Sequence, residues 1–248
     1  MANLVNRLAK FRFSRKISVS LRPSFNSNSK DMKKYNLGFI SDEDIYNHVK
    51  ATVLQYRRNI DLKEFNKNII DPIKLTFDAK IYGQTMQQTI ESECIRQIDK
   101  TNNNRIGYFH QYLFKFAGNG WVVPDNGDQG GFDVLNDERH IYAILRNKPS
   151  KMKHQAKRTS MIRMFDKILK DKDAVCYLVD MSECSSKDYP WKLNIDSNTY
   201  ENANIRYVSI KSFYDIAFEK SDTYEMVCNV LPNILSDVFD VWKSGMIS

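Results

Sequence analysis

The sequence predicts an α/β fold in which a mixed central sheet is flanked by helices. Three observations support this prediction: helical apolar spacing fills the first half, short strand-like runs dominate the middle, and helical patterns return at the end. The chain has 248 residues, of which 42% are hydrophobic, enough for one sizeable core. No apolar run approaches the roughly 18 to 20 residues that a membrane span requires. We therefore expect a protein without a membrane span.

The first half of the chain, after its N-terminal segment, is predicted to be helical. Ser41 is a suitable N-cap for a first helix, and Asp61 for a second helix in which Pro72 would cause a kink. Thr85 opens a third helix, and a fourth is expected over residues 105–117. The sequence thus predicts a helical N-terminal half.

The middle of the chain changes to strand-like patterns, among them a β-hairpin. Strands are expected at residues 121–123, 132–135, 140–146, 174–180 and 206–210. Helices are expected at residues 152–170, 211–219 and 222–243. Cys94, Cys176, Cys184 and Cys228 form no C-x-x-C pair, which argues against a structural zinc site.

The N-terminal segment, residues 1–34, differs in composition from the rest. Residues 1–31 have seven basic residues and one acidic residue, so they carry +6 of the net charge of +7. Three interpretations stay open. The segment could be a mitochondrial transit peptide or a basic arm on a phosphate backbone. It could also reflect a start codon placed too early, since Met32 would suit the start of the folded part.

Eight stretches of the sequence carry a resemblance to a known family. One of them is G-G-F-D-V at residues 130–134, on the first strand of the predicted hairpin. The others lie at residues 35–43, 64–78, 90–100, 106–111, 118–124, 190–192 and 206–214. Together these stretches resemble the type II restriction endonucleases that cut GGNCC- or GGWCC-type sites. The resemblance implies a restriction-endonuclease-like domain over residues 35–248.

The resemblance also implies where a metal-dependent nuclease site should lie. Such enzymes place an aspartate on one strand and Glu-x-Lys on the next, on one face, where the carboxylates hold a divalent cation. Here Asp133 matches the aspartate and Lys148 matches a following lysine, but Ile144 and Arg146 replace the glutamate and the lysine. An aliphatic side chain cannot bind Mg²⁺, and arginine stays protonated. We therefore expect a relic site without catalysis or cofactor. If the protein is active, Asp133, Glu91 and Glu93 would have to hold Mg²⁺.

Basic side chains provide candidate contacts to nucleic acid, although a plain solvated helix is the alternative for those after the hairpin. These candidates are Arg7, Lys10, Arg12, Arg15, Lys16, Arg22, Lys151, Lys153, Lys157 and Arg158.

Three functions compete. The first is a catalytically inactive, nucleic-acid-associated subunit of a mitochondrial ribonucleoprotein such as the mitochondrial ribosome, with RNA and neighbouring proteins as partners. The second is an active Mg²⁺-dependent type II endonuclease that cleaves double-stranded DNA. The third is a protein-binding scaffold subunit of another organellar complex. The transit-like composition favours a mitochondrial location, and without it a cytoplasmic one is expected.

Overall fold

The computed structural model describes residues 34–244, with the exception of residues 69, 119, 126–128 and 196. The N-terminal segment and its three interpretations therefore lie outside the described residues, apart from Lys34. Within the described part, a six-stranded mixed sheet has helices on both faces, which confirms the predicted α/β class.

The first half of the described chain is helical. It contains α1 (Asp42–Gln55), α2 (Leu62–Phe65), α3 (Pro72–Ile81) and α4 (Met86–Leu113). Ser41 and Thr85 cap α1 and α4 as predicted, through side-chain oxygens that accept backbone N–H groups.

Two predicted helix boundaries were wrong. Pro72 does not kink a helix but begins α3, with Asp71 as the N-cap. At the first position of a helix the backbone N–H has no partner within the helix, so a proline there loses no hydrogen bond. The predicted third and fourth helices are one continuous helix, α4. Asn102 lies within it and is buried, and its side chain bonds the backbone N–H and carbonyl of Arg57 at 2.8 and 2.9 Å. This tertiary contact outweighs the weak helix propensity of asparagine.

The strands of the described chain form one large sheet and one small ribbon. The strands are β1 (Trp121–Val122), β2 (Val134–Asn136), β3 (Ile141–Arg146), β4 (Val175–Asp180), β5 (Asp188–Pro190), β6 (Leu193–Ile195), β7 (Asn198–Tyr200) and β8 (Ile205–Ser209). The large sheet has the order β1-β2-β3-β4-β8-β5, and β6 pairs with β7. Strands β3, β4 and β8 are parallel, so their carboxyl ends meet at one edge. We call this the carboxyl edge. The sequence did not predict β5, β6 and β7.

Each face of the sheet has its own apolar core. Helix α5 (His154–Lys170) covers one face and connects β3 to β4. Helices α1, α4, α6 (Ile210–Phe218) and α7 (Thr223–Ser244) lie on the other. Strand β3 is therefore buried on both sides, as its continuous apolar sequence indicates. None of the described helices is long and apolar enough to cross a membrane.

Candidate functional site

The candidate nuclease position lies at the carboxyl edge, where Asp133 meets Arg146. Asp133 directly precedes β2, and its N–H donates to the carbonyl of Ala143 on β3 at 2.9 Å. Its Oδ2 accepts from the backbone N–H of Leu145 at 2.7 Å and from Nη1 of Arg146 at 2.6 Å. The side chains of Asp133 and Arg146 are 22% and 34% exposed. The structure thus brings the two predicted positions together as a largely buried ion pair.

Ile144 lies on the same face of β3 as Arg146, because residues two apart in a strand point the same way. Its side chain is fully buried and belongs to the apolar core under α5, with Leu178 as its register partner on β4. A buried aliphatic side chain therefore occupies the position at which the resemblance implies a glutamate.

The residues at this position do not suit a divalent cation. Mg²⁺ requires several oxygen ligands in near-octahedral geometry. Here the Asp133 carboxylate already has a guanidinium partner, and the next position on that face is apolar. The positive charge of Arg146 lies beside the carboxylate that would hold the cation.

The predicted auxiliary ligands, Glu91 and Glu93, lie on α4. Both accept hydrogen bonds from residues of the same helix: Glu91 accepts from Gln87, and Glu93 accepts from Arg96 and Gln97. The hydrogen bond from Arg96 lowers the pKa of Glu93. The structure gives neither glutamate a contact with Asp133.

Asp180 is a carboxylate at the carboxyl edge that sequence reasoning missed. It ends β4 in register with Arg146, and it is 7% exposed. Its Oδ1 accepts from the N–H and hydroxyl of Ser182, and its Oδ2 accepts from the hydroxyl of Tyr207 at 2.5 Å. An aspartate at the end of an otherwise apolar run, A-V-C-Y-L-V-D, was the signal that could have revealed it.

Lysines gather next to the carboxyl edge, in the turn after β3 and at the start of α5. Lys148 has a left-handed backbone, with a φ of 55°, and is exposed. Lys151, Lys153 and Arg158 are also exposed, and Lys157 donates to the carbonyl of Ser150 at 3.1 Å. This placement keeps the turn available as a nucleic-acid surface. The other candidates, Arg7, Lys10, Arg12, Arg15, Lys16 and Arg22, lie outside the described residues.

A second polar cluster lies at the opposite end of β3. Ligand atoms of His140, Asp171 and Asp173 lie within 4.8 Å of one another, which makes the group a possible cation site. The Nδ1 of His140 is already 2.9 Å from Oδ2 of Asp171. This hydrogen bond raises the pKa of His140 and lowers the pKa of Asp171. The hydrogen bond between His140 and Asp171 accounts for the geometry without an ion.

Comparison with known proteins gives consistent results. The family model described as Eco47II restriction endonuclease matches residues 37–240. The type II restriction enzyme Sau96I of Staphylococcus aureus is 28% identical over 81% of this chain and 80% of its own length. The type II restriction enzyme Eco47II of Escherichia coli is also 28% identical, over 80% of this chain and 86% of its own. No solved structure matches the chain significantly.

Proposed function

We propose that this chain, which belongs to the Eco47II restriction endonuclease family, recognises double-stranded DNA at a GGNCC- or GGWCC-like site. The family match over residues 37–240 carries the proposal, because it spans both the Asp133 hairpin and the strands behind it. The exposed lysines after β3 support it, since cations beside the carboxyl edge can neutralise backbone phosphates.

Site-specific cleavage of that DNA is the first candidate activity. Both relatives are named type II restriction enzymes, and each aligns over at least 80% of this chain. Hydrolysis of a phosphodiester in such enzymes requires a divalent cation. The pairing of Asp133 with Arg146 is the feature of this chain that such an activity would have to accommodate.

Binding of DNA without cleavage is the second candidate, and one observation favours it. The position of the expected glutamate is a fully buried isoleucine, Ile144, and the position of the expected lysine is an arginine that neutralises Asp133. Removing a carboxylate that would stabilise the transition state costs several kcal/mol in the barrier, at about 1.4 kcal/mol for each tenfold in rate.

One experiment separates these candidates. Purified protein is incubated with duplex DNA that contains GGNCC sites, in Mg²⁺ and then Mn²⁺, and both binding and cutting are measured. The double variant Ile144→Glu, Arg146→Lys is assayed in parallel, with Asp133→Ala as the control that removes the carboxylate of the predicted motif. Cutting by the unmodified protein that Asp133→Ala abolishes would establish the first candidate. Binding without cutting would establish the second, and the absence of duplex binding would overturn both.

The ribonucleoprotein, scaffold and mitochondrial hypotheses receive no support from the comparisons. Of these, the mitochondrial location rested on the composition of residues 1–31, which lie outside the described part of the chain. They stay predictions, and the DNA-binding proposal does not depend on them.

A further inference from the structure

A cavity of about 510 Å³ opens at the carboxyl edge, on the face of the sheet that carries Arg146. Its lining includes Pro149, Lys157, Tyr189, Trp191, Lys192 and Tyr207. Cavities of 300 to 1,000 Å³ with aromatic walls and a few polar groups are typical of small organic ligands. The dimensions and the lining therefore suit a planar group of the size of a nucleobase.

Two tyrosines form one wall of this cavity. Tyr189 on β5 and Tyr207 on β8 are register partners, and their rings stack with centroids 4.9 Å apart and planes at 21°. The hydroxyl of Tyr207 donates to Asp180, which fixes the inner ring. Tyr189 is 48% exposed. The outer ring therefore retains free surface onto which a further ring can stack.

Two lysines supply positive charge at the same cavity. The ammonium of Lys157 donates to the carbonyl of Ser150, and that of Lys192 lies 3.0 Å from the carboxylate of Glu201. An ammonium has three N–H donors, so each lysine retains donors beyond these contacts. Aromatic faces beside cations are the combination that binds an unpaired base together with its phosphate.

The cavity is also next to the candidate nuclease position. Leu178 lines it and is the register partner of Ile144, while Pro149 and Ser150 follow Arg146 by three and four residues. A DNA strand that reaches Arg146 would therefore pass the mouth of the cavity.

We propose that this cavity is a binding site for one unpaired nucleobase of a DNA strand, stacked on Tyr189 with its phosphate near Lys157 or Lys192. The inference rests on the proposed function, which it extends from duplex binding to the capture of a base outside the helical stack. A free nucleotide has the same chemistry, and the experiment distinguishes the two sources.

The test compares two fluorescently labelled duplexes of the same sequence by anisotropy, one fully paired and one with a single unpaired thymine next to the recognition site. The full-length protein should bind the second duplex about tenfold more tightly, since stacking of one base on an aromatic ring contributes a factor of about 5 to 150. Tyr189→Ala should abolish the preference, and Tyr189→Phe should keep it because the ring is retained. Tyr82→Ala is the matched control, because Tyr82 is an exposed tyrosine directly after α3 and does not line the cavity.

Each outcome is decisive. Equal affinity for the two duplexes, or a preference that survives Tyr189→Ala, overturns the base site while duplex binding, and with it the proposed function, stands. Tight binding of thymidine monophosphate without any preference between the duplexes would show that the cavity binds a free nucleotide and not a base of a DNA strand. Loss of binding to both duplexes in the unmodified protein would overturn the proposed function as well.

Discussion

Replacing Arg146 with alanine tests the ion pair at the candidate nuclease position. The guanidinium contacts Oδ2 of Asp133 and the carbonyl of Leu145, both at 2.6 Å. Exposed pairs contribute at most about 1 kcal/mol, whereas breaking a fully buried pair costs about 3 to 5 kcal/mol. The Asp133–Arg146 pair lies between these limits, with side chains 22% and 34% exposed. We expect Arg146→Ala to lower the free energy of unfolding by about 2 kcal/mol.

Urea unfolding followed by circular dichroism measures this loss, which corresponds to a fall in Tm of about 4 to 8 °C for a chain of this length. Lys74→Ala is the matched control, because Lys74 pairs with Asp78 one helical turn away and the two side chains are 63% and 28% exposed. It should change the stability by less than about 0.5 kcal/mol. If Arg146→Ala behaved like the control, the pair would not stabilise the protein, and Arg146 would not keep a cation from the Asp133 carboxylate.

Two further predictions concern buried and strained positions. Burial lowers the pKa of His110 to about 4, so the unfolded chain binds more protons than the folded protein between that pH and about 6.5. The contribution of His110 to the free energy of unfolding should be fully present above about pH 6.5, and about 3 kcal/mol of it should be lost toward pH 4. Urea unfolding at a series of pH values should show a weaker pH dependence in His110→Gln but not in the exposed His154→Gln. A Cβ on Gly131, whose φ is +73°, would lie 2.5 Å from the guanidinium carbon of Arg163, whereas Gly83, with a φ of +62°, has open space. Gly83→Ala should lower the free energy of unfolding by about 1 kcal/mol through backbone strain alone, and Gly131→Ala should lower it by about 2 kcal/mol. If thermal unfolding gave the same loss of stability for both variants, the contact with Arg163 would be ruled out.

The sequence predicted the elements with strong local signals and missed three short strands, β5, β6 and β7. Helix α1 and strands β3 and β4 have caps or continuous apolar runs, and these local signals suffice. Strands β5 and β7 have three residues each and largely exposed side chains, so their pairing depends on neighbours that are distant in the chain.

The candidate site was predictable only in part. The positions of Asp133 and Arg146 follow from the motif, but their direct contact follows from the register of β2 against β3. The stacked ring pair of Tyr189 and Tyr207 depends on β5, which the sequence did not reveal. Tyr189 and Tyr207 are 18 residues apart in the sequence, and they become neighbours only when β5 pairs with β8.

The contact between Tyr35 and α7 has a consequence for synthesis. The hydroxyl of Tyr35 donates to Asp237 at 2.9 Å, across 202 positions, and Lys220 donates to the carbonyl of Leu37. Ile45 in α1 shares its apolar core with residues of α6 and α7. As the chain leaves a ribosome, α1 can pack against α4 early, but it completes the burial of its apolar side only after α7 has been synthesised. During that interval it is a natural client for a chaperone, because a nascent chain with apolar surface exposed is prone to aggregate.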